Sequence, residues 1–312
     1  MVVLEDSVIY ERASPLEMVA AMRHAFSADI WTPRRTVHSL PGEDSTLFLM
    51  PAQGAHTIGV KVATAIPANA ALGEPTVNGL YLLLERTTGR PLAILSARAL
   101  TQVRTAAVSA MASALLSRAE SSCLLMVGTG ALAPHLVRAH AAVRPIRHIL
   151  LWGRSQDKAG HLMASLTDLD CSMEVVADLE QAAGKADIIS CATLSPLPLV
   201  LGSWLRPGTH VDLVGSFSPS QREADDALIG RATVYVDTLD AFAESGDLIG
   251  PCQAGILDPC EVADLTVLAA SGPVRAKPGK DITVFKSVGS ARADLAAAER
   301  LVNCEPENQP ED

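Results

Sequence analysis

Apolar residues recur along the first third of the chain in two rhythms. Met18, Met22 and Phe26 fall four apart, which predicts an amphipathic helix over residues 14–30 with Ser14 as N-cap and Pro15 in its first turn. Short apolar runs at 47–50, 57–62, 78–85 and 91–95 read as strands, the last two separated by the turn Thr88-Gly89. That hairpin spacing predicts an antiparallel sheet. A helix over 97–118 follows, rich in Ala, Leu and Met, which favour the helical state. The pattern then changes. Apolar runs at 123–127, 148–152, 173–176, 187–191, 210–214 and 234–236 alternate with helical or loop segments, among them a helix over 131–142. Such alternation implies a parallel sheet covered on both faces. The expectation is an α/β chain: an α+β domain over 1–118, with residues 290–312 packing back on it through a helix at 294–302, and a doubly wound domain over 119–289. The polar, acidic stretch 303–312 is expected to fray.

Composition narrows the function classes. The 312 residues are 48% hydrophobic and 19% charged, which excludes disorder, collagen and coiled coil. A chain of this length hides roughly 75% of its unfolded surface and needs no disulfide or metal staple. The net charge of −10 repels phosphate backbones, so nucleic acid is not an expected partner. No run of 18 apolar residues occurs, so no membrane span is expected. Glu5 and Asp6 stand where a secretory leader would be basic, and the location read from this is cytoplasmic. Cys123, Cys171, Cys191, Cys252, Cys260 and Cys304 include no C-x-x-C pair and read as buried free thiols. Eight histidines without an H-E-x-x-H motif give no reason to expect a metal.

The apolar run 123–127 leads directly into Gly128-Thr129-Gly130-Ala131-Leu132-Ala133. This is G-x-G-x-x-A, the alanine form of the dinucleotide fingerprint. The first glycine allows a tight turn, the second lets a pyrophosphate approach the backbone, and the small third residue lets helix and strand pack closely. The helix that follows offers unpaired N–H groups to phosphate. The strand before, the helix after and a second strand ending about 25 residues on make the signal strong, and the doubly wound domain is read as Rossmann-type. That second strand ends Trp152-Gly153-Arg154-Ser155. An acid there would hold the ribose 2′-hydroxyl of NAD; an arginine and a hydroxyl suit a 2′-phosphate, so NADPH is favoured over NADH. Arg154 as a plain surface charge is the alternative.

With the glycine turn placed, other segments take on meaning. GVKVATAIP contains Lys61, and GEPTVNGLYLLLERTTGRPLAIL and LTQVRTAAVSAMA follow, the latter containing Arg104. Downstream lie ADIISCATLSPLP, WLRPGTHVDLVGS, Glu244-Ser245-Gly246-Asp247 and TVFKSVGSARADLAAA. Their order and spacing resemble the ornithine cyclodeaminase/mu-crystallin family over roughly residues 15–300. The resemblance implies a substrate-binding and dimerisation domain followed by a Rossmann domain, an active site between them, and a homodimer. It also matches Arg35, Lys61 and Arg104 to the family's basic substrate pocket.

Those three residues have a physical reading as well. Arginine makes bidentate, charge-assisted bonds to a carboxylate. Lys61 lies in an apolar strand and is costly to bury without a negative partner; a substrate carboxylate or an imine nitrogen would serve. Alternatively, Arg35 is a solvated charge, Lys61 sits in a structural ion pair, or Arg104 pairs with Glu85 or another acid. One departure from the family matters more. A catalytic aspartate of ornithine cyclodeaminase lies three residues past the strand-ending valine, and the matching position here is Phe217, which cannot exchange a proton. Asp225 and Asp226 read as acids opening a helix. VGSFSP followed by READDA is similar instead to reductases of Δ1-pyrroline-2-carboxylate and Δ1-piperideine-2-carboxylate.

The expected activity is therefore NADPH-dependent reduction of a cyclic 2-imino acid, giving proline or pipecolate. Gly128, Thr129, Gly130, Ala131 and Leu132 would hold the phosphates, Arg154 and Ser155 the 2′-phosphate, and Thr193, Val214 and Gly215 would border the nicotinamide. Arg35 and Arg104 would fix the substrate carboxylate, and Lys61 is the candidate catalytic proton donor. Three readings stay open beside it: a lyase cyclising ornithine, an open-chain amino-acid dehydrogenase, and a non-catalytic NADPH-dependent binder of the mu-crystallin type. Phe217 and Arg154 argue against the lyase.

Overall fold

The computed structural model describes residues 1–41, 45–274 and 279–303. The chain forms two compact units: Met1–Arg104 together with the segment from Ser290 onward, and Thr105–Gly289.

The first unit is built on a six-stranded sheet of β1 (Val2–Leu4), β2 (Thr36–Ser39), β3 (Thr46–Gln53), β4 (Thr57–Ala65), β5 (Val77–Glu85) and β6 (Pro91–Ser96), in the order β1-β6-β5-β4-β3-β2. Strands β2 to β6 run antiparallel, as the hairpin spacing predicts, and β1 joins parallel to β6. Side chains alternate across the sheet. Met50, Lys61, Ala63, Tyr81, Leu83, Ala93 and Leu95 are buried on one face. The helix Ala291–Val302 packs on β3, β4 and β5 and against the helix Pro15–Ser27. On the opposite face, Val62 and its cross-strand partner Leu80 stay exposed at 42% and 57%.

The second unit holds β7 (Cys123–Val127), β8 (His148–Trp152), β9 (Ser172–Val175), β10 (Ile188–Cys191), β11 (His210–Leu213), β12 (Ala232–Val236), β13 (Ala263–Asp264) and β14 (Ile282–Lys286). All pair in parallel, in the order β13-β12-β14-β11-β10-β7-β8-β9. Every residue of β10, β11, β12 and β14 is buried, as a parallel sheet covered on both faces requires. From β9 to β11 the order is that of the Rossmann fold, with its reversal point between β7 and β10.

The differences from the sequence reading have local causes. Strands β1, β2 and β13 are too short to show a period, and all four residues of β2 are exposed. Strand β14 ends on a lysine that is fully buried, so hydropathy alone does not mark it. The Ser14 hydroxyl makes no capping bond; Pro15 alone marks the helix start. Among the described cysteines only Cys191 is fully buried. Cys123, Cys171 and Cys252 are partly exposed, Cys260 is exposed, and Cys304 lies outside the described residues, as does the expected frayed end beyond Asn303. No described helix is long and apolar enough to cross a membrane.

Candidate active site

The glycine turn sits at the C-terminal end of β7, at the reversal point of the sheet. Gly128 has φ +117°, and a Cβ there would stand 2.6 Å from the Ala192 carbonyl oxygen; only glycine fits this approach of the β7 and β10 loops. A side chain on Gly130 would instead meet nothing within 4 Å. Its backbone faces open space, and the helix Ala133–Val143 beyond it starts with no side-chain cap. Orphan N–H groups beside an uncovered glycine are the cradle that a pyrophosphate fills.

A cleft of about 520 Å³ opens here, lined by Gly128, Thr129 and Gly130 from the turn, Arg154 and Ser155 after β8, and Thr193 after β10. Ser155 is the N-cap of the helix Gln156–Ala164, its Oγ accepting from the Lys158 N–H at 3.3 Å. Lys158 also lines the cleft. It was missed in the sequence because a lysine in a first helical turn looks like any solvated charge; its position three residues after Ser155 was the available signal. Among the described residues no acid lines the cleft. Ala131 and Leu132 lie in the turn just before the helix, outside this lining. Val214 and Gly215 are buried beside it, not in it. The residues present fit a dinucleotide.

The first unit carries a second constellation. Lys61 lies on the buried face of β4, opposite Met50 and Tyr81. Asp294 lies in the first turn of the helix Ala291–Val302, which Ser290 caps. Alanines at 291, 293, 296, 297 and 298 keep the buried side of that helix small, so the backbone comes close enough for a short aspartate to reach the sheet. Asp294 Oδ2 is 2.8 Å from Lys61 Nζ, and Oδ1 accepts from Arg104 Nε at 2.8 Å. The aspartate side chain is fully buried and the two cations are 6% exposed.

The structural ion pair left open for Lys61 is thus present, and the acid facing Arg104 is Asp294 rather than Glu85, which bonds Thr88 and Arg90. One carboxylate neutralises only one of the two cations, however. Arg104 uses Nε alone; its terminal nitrogens make no hydrogen bond among the described residues. Burial pulls Lys61 down to about 8, Asp294 opposes this, and Arg104 and Arg35 add to it. Arg35 therefore belongs to the same field. Burial pushes the Asp294 carboxyl up, but Lys61 and Arg104 hold it below its ordinary value. The cluster is a buried site of excess positive charge with an open guanidinium fork.

Phe217 follows β11 and is 48% exposed. Asp225 caps the helix Asp226–Arg231, accepting from the Leu228 and Gly202 N–H groups, and Asp226 pairs with Arg222 at 2.6 Å. Both acids serve the helix start, as expected.

The model of the ornithine cyclodeaminase/mu-crystallin family matches residues 3–305. Protein SAR DEFICIENT 4 of Arabidopsis thaliana is 40% identical over 283 residues, 88% of this chain and 87% of that protein. The Δ1-pyrroline-2-carboxylate reductase of Paracoccus denitrificans is 41% identical over 243 residues, 77% of each chain. Among solved structures, the Δ1-pyrroline-2-carboxylate reductase of Thermococcus litoralis in complex with NADH and L-proline superposes with a TM-score of 0.90. It is 29% identical and covers 97% of each chain.

Proposed function

The chain belongs to the ornithine cyclodeaminase/mu-crystallin family, and on that premise we propose that it is a nicotinamide-dependent oxidoreductase acting on C=N, reducing Δ1-pyrroline-2-carboxylate to proline and Δ1-piperideine-2-carboxylate to pipecolate. The observation that carries this reading is the Lys61–Asp294–Arg104 cluster. A cyclic 2-imino acid brings one carboxylate and one basic ring nitrogen. The open fork of Arg104, with Arg35 in the same field, offers the carboxylate a charge-assisted clamp. Lys61, drawn down to about 8, is still mostly protonated at neutral pH and can release its proton to the ring nitrogen at modest cost. Asp294 keeps it charged until then.

A bound reduced nicotinamide would supply the hydride to C2. The chain supplies position and charge: Gly128, Thr129 and Gly130 would hold the phosphates, with Ala131 and Leu132 at the start of the helix, and Thr193, Val214 and Gly215 the nicotinamide side. Arg154, Ser155 and Lys158 present three donor side chains with no acid among them, which favours NADPH. The Thermococcus enzyme is in complex with NADH, so the test compares both. Phe217 offers no carboxylate where the deaminase has one, which disfavours the lyase. The apolar sheet face around Val62 and Leu80 supports a homodimer formed through the first unit.

The decisive assay mixes the protein with NADPH or NADH and each cyclic imine and follows the absorbance of the reduced nicotinamide. Oxidation with an imine 2-carboxylate, faster with NADPH, is expected. No oxidation with either imine, or ammonia and proline formed from L-ornithine at a comparable rate, would overturn the reading.

A further inference from the structure

Three fully buried charges at the C-terminal edge of the second sheet lie outside the chemistry described so far. Lys286 ends β14, Glu223 precedes the helix Asp226–Arg231, and Asp247 opens the helix Gly246–Gln253. Lys286 Nζ lies 3.2 Å from Asp247 Oδ2 and 3.9 Å from Glu223 Oε2. They come from three of the segments that carry the family resemblance: FKSVG, READDA and the stretch from Glu244 to Asp247.

Their connections run to the ligand cleft. Glu223 Oε1 accepts from the Thr193 N–H at 2.7 Å and the Thr193 hydroxyl at 2.9 Å. Oε2 accepts from the N–H groups of Gly215 at 2.8 Å and Ser216 at 3.3 Å. One carboxylate thereby ties together the first residues beyond β10 and β11. No side chain would fit on Gly215, because its Cβ would collide with the Thr193 backbone and the Glu223 carboxylate. Asp247 Oδ1 in turn accepts from the N–H groups of Glu223 and Ala224, at 2.7 and 3.0 Å, so the carboxylate is itself held from behind. Two buried carboxylates this close repel each other, and Lys286 between them makes the arrangement tolerable. Burial, with Asp247 adding to it, pushes the Glu223 carboxyl up to about 7, against the pull of Lys286 and the Thr193 and Gly215 amides. Four donors on its two oxygens fit the ionised form, which only accepts.

We propose that Glu223 is a positioning residue that fixes Thr193 and Gly215 at the nicotinamide end of the dinucleotide site, with Lys286 and Asp247 holding its carboxylate in place. This rests on the dinucleotide site proposed above. A bridge between the β10 and β11 loops bears on the nicotinamide half of the ligand. The adenosine half would be held by the glycine turn and the β8 end, which Glu223 does not touch.

The test is a binding comparison that needs no turnover. NADPH and 2′-phospho-ADP-ribose, which lacks the nicotinamide, are titrated against wild type and Glu223→Gln, with NADH and ADP-ribose in parallel. The variant should bind the dinucleotides about tenfold or more weakly and the fragments within about twofold of wild type. Thr193→Val removes one hydroxyl bond to the carboxylate and keeps the charges, so it serves if the first variant does not fold; it should show the same selective loss in smaller measure. Equal weakening of dinucleotide and fragment, or no weakening of either, would overturn the proposal. A wild-type protein that binds dinucleotide but reduces no cyclic imine would count against the substrate reading alone.

Discussion

Replacing Asp294 with asparagine should destabilise the protein in a pH-dependent way. The substitution keeps the volume and one acceptor but removes the charge facing two buried cations at 2.8 Å. Breaking a buried ion pair from one side costs about 3–5 kcal/mol. The retained acceptor can still serve Arg104 Nε, so about 3 kcal/mol is expected near pH 7. The pH dependence comes from Lys61. Its folded value of about 8 lies below its ordinary 10.5, so the folded chain binds this proton less tightly than the unfolded one. That disfavours the charged form by about 3 kcal/mol, and the stability lost this way below pH 8 returns as the pH rises from about 8 to 10.5. Asp294 is the main influence holding the proton on, so Asp294→Asn should move the lower end of this window further down. Above pH 8 the wild-type lysine loses its charge too, and the gap between the two proteins should narrow to the share of Arg104. Urea unfolding followed by circular dichroism near pH 7 and near pH 10 measures both. A loss below about 1 kcal/mol at pH 7, or an equal loss at both values, would refute the assignment of Asp294 as the counter-ion.

Three further outcomes follow from the same geometry. Arg154→Ala should weaken NADPH by roughly ten- to a hundredfold through loss of a charge-assisted contact and leave NADH nearly unchanged; a wild type that already prefers NADH in titration would contradict this. Arg104→Met should lower kcat/KM for imine 2-carboxylates by at least about thirtyfold, and 1-pyrroline, which lacks the carboxylate, should be a very poor substrate of the wild type; equal turnover of 1-pyrroline and its 2-carboxylate in steady-state assays would remove the clamp. Leu80→Glu puts a charge in the exposed apolar face of the first sheet and should shift a dimer to monomer in sedimentation velocity; an unchanged sedimentation coefficient would place the dimer contact elsewhere.

Several parts of this protein are local, and the sequence by itself determined them. The strand–glycine–helix turn at 123–133 is contiguous, and its spacing is dictated by what a pyrophosphate needs from a backbone. Strands β7 and β8 have the bounds that their apolar runs mark, because a buried parallel strand can hold little else. Arg154 and Ser155 after β8 and Lys61 in an apolar strand stand out in the sequence itself, whereas Arg104 and Phe217 stand out only through the family resemblance. What only the tertiary structure decided is how the buried charges are paired. Arg104 and Asp294 are 190 residues apart, and in sequence Asp294 is one more acid in the first turn of an alanine-rich helix. Its role appears once that helix lies on β3, β4 and β5. Glu223, Asp247 and Lys286 likewise read as ordinary charges until the end of β14, the start of the helix Gly246–Gln253 and the segment before the helix Asp226–Arg231 meet at one sheet edge. Hydrophobic periodicity encodes which face is buried, because burial follows from each residue's own water affinity. Ion pairing depends on the distance between two side chains, and that distance exists only after the chain has folded.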